Sequence, residues 1–558
     1  MSDSESDFSL RFSDDEESCS EFEDHVEEAN SSDNSFSEGE DASVPAETMM
    51  SKNGLITFSK KPLENSAGRV ARENVINLMP GLTRYSSSRI TAEEISSFEL
   101  FFPPPLVRTI LSYTNIEGKR VFDEEWADID NTELFAFIGI LLLAGVFRSN
   151  NESSESLWDS QKGRPIFAAT MSLKTFKKIS RVIRFDNRDT RSERRLLDKF
   201  APIRELWNQW VEILPKLYNP SENVTIDEQL VAFRGRCPFR QYIPSKPAKY
   251  GIKFWVLCDS ATSYAWNIQP YTGKEIGNTP ERNQGMRVVL DLVVGLKGHN
   301  LTTDNFFTSY QLGQKLLEKQ ITLVGTIRKN KPELPPATVN IKGRPVLSSS
   351  FAFTRNTTIV SYIPKKNKSV NLLSTFHHDS KVSDRADKKP AIILDYNKCK
   401  GGVDTLDKAV SCYTCKRKTK RWPQVVFSNM VDISAYNAFV LFKSANHAWK
   451  ENCLAKRRYF LENLGMQLVT PYIQKRQTLP RAPFSLEMAK KIRGASENNA
   501  QSSSSTQPES STGRKTTKRS RCQLCQKTDN KTGLVCDICN KFICKHSKTI
   551  TLCSNCNN

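Results

Sequence analysis

The longest apolar run in the chain, residues 134–147, is closed off by Glu133 and Arg148. It is shorter than the roughly 20 residues that cross a bilayer, so it predicts a buried core helix. The surrounding pattern is helical from about residue 90 to 220. Thr91 before Ala92-Glu93-Glu94 has the form of a capping-box start, Asn131 and Thr132 precede the apolar run, and residues 171–185 and 206–217 repeat apolar positions at helical spacing. Trp207 and Trp210 fall on the apolar side and read as core.

At Val224 the texture changes. Val224-Thr225-Ile226 leads into Asp227, and residues 252–257 and 264–268 read as paired strands across a turn at 259–263. A helix over 288–295, a strand ending Leu301-Thr302-Thr303-Asp304, a helix over 309–319 and a strand over 321–327 come next, the succession of an α/β layer. Residues 331–390 predict short strands at 351–353, 358–362 and 371–375 in a Lys-, Pro- and Ser-rich setting, a β-rich insertion. Ile392-Ile393-Leu394 resumes the main domain, Gly401-Gly402 breaks it, and the chain is helical from Val403.

Composition adds a direction. The 558 residues suffice for three or four domains, and the formal charge is 80 − 62 = +18. Seventeen Asp/Glu against Arg11 alone fall in the first 50 residues, so residues 51–558 carry 79 − 45 = +34. Such a surplus favours a polyanionic partner, nucleic acid before membrane. Residues 1–75 are rich in Ser, Asp and Glu and predict a disordered arm, either a regulatory competitor for the basic body or a solvated tail. No apolar leader opens the chain, which predicts an intracellular protein. The cluster Arg514-Lys515-Thr516-Thr517-Lys518-Arg519-Ser520-Arg521 closes a Ser-rich linker and fits nuclear import or phosphate contact.

Three aspartates stand at junctions of this pattern. Asp227 and Asp304 follow β-rich runs, Asp404 opens a helix behind the Gly pair, and Asp407 lies on the same helical face as Asp404. Such carboxylates can converge at one sheet edge and hold a pair of Mg²⁺ ions, although helix caps and strand ends place structural Asp in the same way. Two basic runs flank them. Arg234, Arg236, Arg240, Lys246, Lys249 and Lys253 are interleaved with Phe233, Phe239, Tyr242 and Tyr250, and Lys416, Arg417, Lys418, Lys420 and Arg421 end on Trp422. Both suit DNA phosphates with rings stacking on unpaired bases, or a solvated basic face over core aromatics.

Seven of the fourteen cysteines crowd the C-terminus. Cys522, Cys525, Cys536, Cys539, Cys544, His546, Cys553 and Cys556 supply eight ligands, enough for two tetrahedral Zn²⁺ sites in a segment too short to fold on a core of its own. A cross-brace is one of the connectivities open to them. His377-His378 reads as an exposed loop pair without a role.

The wording around the aspartates is specific. Thr225-Ile226-Asp227-Glu228-Gln229-Leu230 with the basic run after it, Thr303-Asp304-Asn305-Phe306-Phe307-Thr308-Ser309, and Asp395-Tyr396-Asn397 with Lys400-Gly401-Gly402-Val403-Asp404-Thr405-Leu406-Asp407 resemble the three catalytic blocks of piggyBac-type DNA transposases. The resemblance spans about residues 80–490 and resumes in the cysteine-rich end, which is similar to the family's RING/PHD-like domain. One residue separates Cys544 from His546, where the family more often has two, so His546 departs from the pattern. A ubiquitin-ligase RING is the rival reading of that end.

The resemblance implies a multidomain α/β plus α protein: an RNase H-like core in which Asp227, Asp304 and Asp404 bind two Mg²⁺, with Asp407 as an additional catalytic acid, a β-rich insertion, a mostly helical dimerisation and DNA-binding domain, and a small zinc cross-brace. The boundaries are a disordered region at 1–75, helical segments at 76–222 and 414–492, core segments at 223–330 and 391–413, the insertion at 331–390, a basic linker at 493–520 and the zinc region at 521–558. The expected activity is cut-and-paste transposition of double-stranded DNA ends into TTAA targets by a nuclear homodimer, with no membrane. The alternative is a domesticated, non-catalytic DNA-binding or chromatin protein.

Overall fold

The computed structural model describes residues 47–63, 76, 78–273, 281–450 and 452–501, with 515–521, 531–534, 542, 548–549 and 552–553 beyond them. The chain divides into two compact units at Lys490. In the second, strands Lys515–Arg521 and Lys531–Leu534 pair antiparallel, as do Lys548–Thr549 and Leu552–Cys553. The zinc ligands proposed at Cys522, Cys525, Cys536, Cys539, Cys544, His546 and Cys556 lie outside the described residues, and of Cys553 only the strand is described.

The first unit is built on an eleven-stranded sheet. Its strands are β1 (Thr48–Met50), β2 (Thr57–Ser59), β3 (Asn223–Ala232), β4 (Gln241–Tyr242), β5 (Tyr250–Asp259), β6 (Ala265–Pro270), β7 (Asn300–Thr303), β8 (Thr322–Thr326), β9 (Ser349–Phe353), β10 (Thr358–Lys365) and β11 (Lys368–Ser374). Their spatial order is β1-β2-β9-β10-β11-β8-β7-β3-β5-β4, with β6 also on β5. β7 runs parallel to both β3 and β8, and the other neighbours are antiparallel. The α/β succession expected from Val224 onward is therefore a mixed sheet whose parallel centre carries the crossover helices.

The helices around this sheet include α1 (Asn131–Val146), α2 (Leu173–Val182), α3 (Ala391–Cys399), α4 (Gly402–Cys412), α5 (Trp422–Ala445) and α6 (Lys456–Lys475). The apolar run forms α1, capped by Asp130, whose carboxylate accepts from the Glu133 amide at 2.9 Å. It crosses α6 closely: a Cβ at Gly139 would come within 3.0 Å of Val469, Leu468 and the Gly465 carbonyl. Helix α5 is long and apolar enough to cross a bilayer, but its side chains are buried within the protein, so it is a core helix. Trp207 and Trp210 are core as expected, Trp210 Nε1 donating to Ser434 Oγ of α5 at 2.9 Å.

Two expectations need correction. The arm assigned to 1–75 is ordered over 47–63, because Phe58 is fully buried against Tyr310 and Met49 against Thr338, and the β1–β2 hairpin extends the sheet from β9. The strands of 331–390 join the edge of the main sheet through β11 on β8 and form no separate sheet. Ile392-Ile393-Leu394 returns to the main sheet as expected, as a turn of α3 whose two isoleucines pack with Val324, Val360, Tyr362 and Leu372.

Candidate active site

Strand β3 alternates its faces. Thr225 Oγ1 donates to the Cys399 carbonyl at 2.7 Å, and Gln229 Nε2 donates to Asp407 Oδ1 at 3.3 Å. Asp227 lies between them at the two-residue period, on the face covered by α3 and α4. In the parallel pairing of β3 and β7, Ile226 is opposite Thr303, so Asp227 on β3 and Asp304 just past the end of β7 are the residues that follow the last paired positions.

Local bonds fix the turn that carries Asp304. Its Oδ1 accepts from the Phe306 amide at 2.9 Å, its carbonyl accepts from Thr308 Oγ1 at 2.7 Å, and Thr308 and Thr303 hydroxyls are 2.8 Å apart. Gly325 on β8 leaves room for that pair, since a Cβ there would stand 2.2 Å from Thr308 Oγ1. The third acid comes from α4, which starts behind Gly401: Asp404 is in its first turn, where the helix dipole favours a carboxylate, and Asp407 is one turn on. Three distant segments thus converge at one end of the central strands.

Electrostatics express that convergence. Burial pushes Asp227 up to about 7, with Asp304 and Asp404 adding to the rise against Lys246 and the Glu228 amide. Burial also raises Asp304, with Glu228 reinforcing it, and raises Asp407 against the opposing bond from Gln229 and the charge of Lys246. The Tyr396 hydroxyl is pushed up by burial and by the carboxylates of Asp304, Asp227 and Asp404. Half-buried Asp227, Asp304 and Asp407 beside the exposed Asp404 gather like charges that favour a cation. Lys246 supplies one, its Nζ 3.2 Å from Asp404 Oδ1. Among the described residues no three acid, histidine or cysteine side chains close on a single point as a ready-made cage. The donors are nonetheless carboxylate oxygens whose negative charge Lys246 only partly offsets, the type of donor a hard ion such as Mg²⁺ takes.

The basic segments divide. Arg234, Arg236, Arg240 and Lys249 are exposed, as are Tyr242 and Tyr250, whose rings pair at 4.7 Å, while Phe233 and Phe239 are buried. Arg240 also donates to the Arg234 and Gly235 carbonyls at 2.7 and 3.0 Å. Lys253 pairs with Glu228 and lies over the rings of Trp255, Tyr271 and Phe306. In the second run Lys418 and Lys420 are exposed, but Lys416 donates to the Ala232 carbonyl at 2.9 Å and Arg417 to the Ser149 and Glu152 carbonyls at 3.2 and 2.6 Å. Arg421 donates to the carbonyls of Ser180, Arg181 and Ile183 at the end of α2, and burial pushes it down to about 9. Trp422 packs on Phe200 and Phe239 at 5.6 and 4.9 Å. Its indole belongs to the core and is not available for a base, because the helix it opens is buried.

Sequence reasoning missed Gln229, although its place two residues beyond Asp227 on a strand puts it on the same face. It also misjudged His377, which is not an exposed loop residue: Nε2 lies 2.8 Å from Asp395 and Nδ1 lies 2.9 Å from Ser374 Oγ. Ser374 is fully buried and accepts from the amides of Phe376 and His377, so this Ser-His-Asp sequence clamps the end of β11 to α3 and is no nucleophile.

Comparison with known proteins gives the geometry a setting. Residues 93–439 match the transposase IS4 family model. Human PiggyBac transposable element-derived protein 3 is 24% identical over 397 residues, 66% of this chain and 64% of that protein. The human Chimeric ERCC6-PGBD3 protein matches equally over 66% of this chain and 36% of its own length. The chain thus spans less than two thirds of these curated relatives. A solved structure, the cryo-EM structure of a piggyBac transposase synaptic complex with hairpin DNA, is similar with a TM-score of 0.68 and 34% identity, covering 86% of this chain and all of that one.

Proposed function

Because the chain belongs to the piggyBac-type transposase family, we propose that it is a Mg²⁺-dependent cut-and-paste DNA transposase. The observation that supports this reading is the Ile226–Thr303 register, after which Asp227 and Asp304 follow, together with the influence of Asp304 and Asp404 on Asp227. Asp227, Asp304 and Asp404 would hold two Mg²⁺ ions, which supply Lewis acidity at the scissile phosphate and acidify the attacking hydroxyl.

The chain's own residues do the rest. Asp407, tied to Gln229, fixes the face of α4 against β3 and orients Asp404 one turn away. Water cleaves one strand at the element's end, the freed 3′-OH closes a hairpin on the other strand, the hairpin is reopened, and the 3′-OH attacks a TTAA target. Through these steps the exposed Arg234, Arg236, Lys249, Lys418 and Lys420 hold phosphates, while Tyr242 and Tyr250 offer rings to unpaired bases. The cysteine-rich end, with two Zn²⁺, recognises terminal-repeat DNA. Synapsis of two ends requires a homodimer, and the basic cluster at 514–521 directs it to the nucleus.

The test is purified protein with Mg²⁺ and a duplex of the element's own terminal repeat. A nick at the element boundary followed by a hairpin is expected. Specific retention of the duplex without any nick would replace this reading with that of a non-catalytic DNA-binding protein.

A further inference from the structure

We propose that the Lys246 ammonium is the counter-ion of the ion-free carboxylate site and that a divalent ion must displace it from Asp404. This rests on the reading of the acids as a metal site. Lys246 reaches Asp404 at 3.2 Å from the turn between β4 and β5. That turn is closed by bonds from the Ile243 amide to the Lys249 carbonyl at 2.8 Å and from the Lys249 amide to the Lys246 carbonyl at 3.0 Å, so the backbone from which the lysine stem springs is set. A single ammonium facing Asp404 while within the field of Asp227 and Asp407 occupies the electrostatic place of a small cation.

Two further features make the pair one that can open. Asp404 is 65% exposed, and an ion pair with an exposed partner contributes little net attraction. Behind Lys246 lies a cavity of about 220 Å³ lined also by Asp407, Thr414, Asn429 and Asp432. The four-carbon stem can swing there and exchange Asp404 for other polar partners, or carry its charge to a phosphate when DNA is present. Lys246 is then a positioning residue that holds the carboxylates in the ion-free protein and sets the threshold for ion entry.

The experiment is Mn²⁺ binding to the full-length protein without DNA, followed by the electron paramagnetic resonance of the free ion and counted as the part lost in Asp404→Asn. Removing the competing charge in Lys246→Met, or in Lys246→Gln as a second variant, should lower the Kd about tenfold, the order expected for a unit charge near a divalent ion. Lys246→Arg should stay near the wild type. In thermal melting without added ion, Lys246→Met should fall below the wild type and regain more with Mn²⁺. An unchanged or raised Kd in both neutral variants overturns the proposal while leaving the metal site standing. A wild-type protein with no Asp404-dependent Mn²⁺ binding defeats the site reading itself.

Discussion

Gln229 donates through Nε2 to Asp407 Oδ1 at 3.3 Å, and its own Oε1 accepts from Asn429 Nδ2 at 3.0 Å. One buried amide therefore ties strand β3, helix α4 and helix α5 together beside the acids. In Gln229→Leu the Asn429 donor loses its partner, which should cost about 1–3 kcal/mol in denaturant unfolding. Nicking should fall on the order of 10- to 100-fold, as for other partners that orient metal-binding acids. Full nicking activity in a folded Gln229→Leu protein would show that Asp407 needs no such support.

The elevated acid gives a pH signature. Asp227 keeps its proton in the folded protein up to about 7, whereas the unfolded chain releases it near its ordinary value of 3.8. The folded state binds the extra proton in that window, so stability without added divalent ion should fall as pH rises from about 4 to about 7. Asp227→Asn should flatten the melting temperature against pH, and Mg²⁺ at pH 8 should stabilise the wild type but not the variant. A wild-type profile rising across the same window would contradict the assigned environment.

The second basic run should separate by substitution. Trp422→Ala empties a core position against Phe200 and Phe239 and should cost about 3–5 kcal/mol of stability. Replacing the exposed Lys418 and Lys420 together should leave the melting temperature alone. It should weaken DNA binding and reduce the slope of log K against log salt by about two. A salt slope unmoved by the double variant would remove these lysines from the DNA surface.

What the sequence made legible, and what it hid, depends on the range of the forces involved. The strands around Asp227 and Asp304 were readable because β-branched and aromatic runs end on turn residues there, and α1 and the two tryptophans because apolar periodicity is local. The proposed grouping of Asp227, Asp304 and Asp404 became readable only through its three worded blocks, since residue spacing alone cannot report that Ile226 pairs with Thr303. Inward-facing basic residues were illegible for the same reason. Nothing in Lys416-Arg417-Lys418-Thr419-Lys420-Arg421 tells which members meet carbonyls on α2 or after α1 and which face water. The β1–β2 hairpin was hidden inside an acidic, polar composition, because its order rests on two side chains, Met49 and Phe58, that find their partners Thr338 and Tyr310 in the second half of the chain.

The cysteine-rich end should be separable from the chemistry. Truncation before Cys522 should lower affinity for terminal-repeat duplex more than it lowers the nicking rate on saturating duplex, and metal analysis of the full chain should find about two zinc ions, the number that eight soft ligands fill. Equal end affinity after truncation would count against recognition by this segment.

The most direct measurement is strand cleavage of the terminal-repeat duplex by Asp304→Ala beside the wild type, at equal protein and Mg²⁺. Asp304 lies next to Asp227 across the β3–β7 pairing, and its loss leaves the exposed basic surface untouched. The expected result is a boundary nick by the wild type, none by the variant, and unchanged retention of the duplex by both. Nicking by Asp304→Ala at the wild-type rate would contradict the assignment of these carboxylates as the catalytic site.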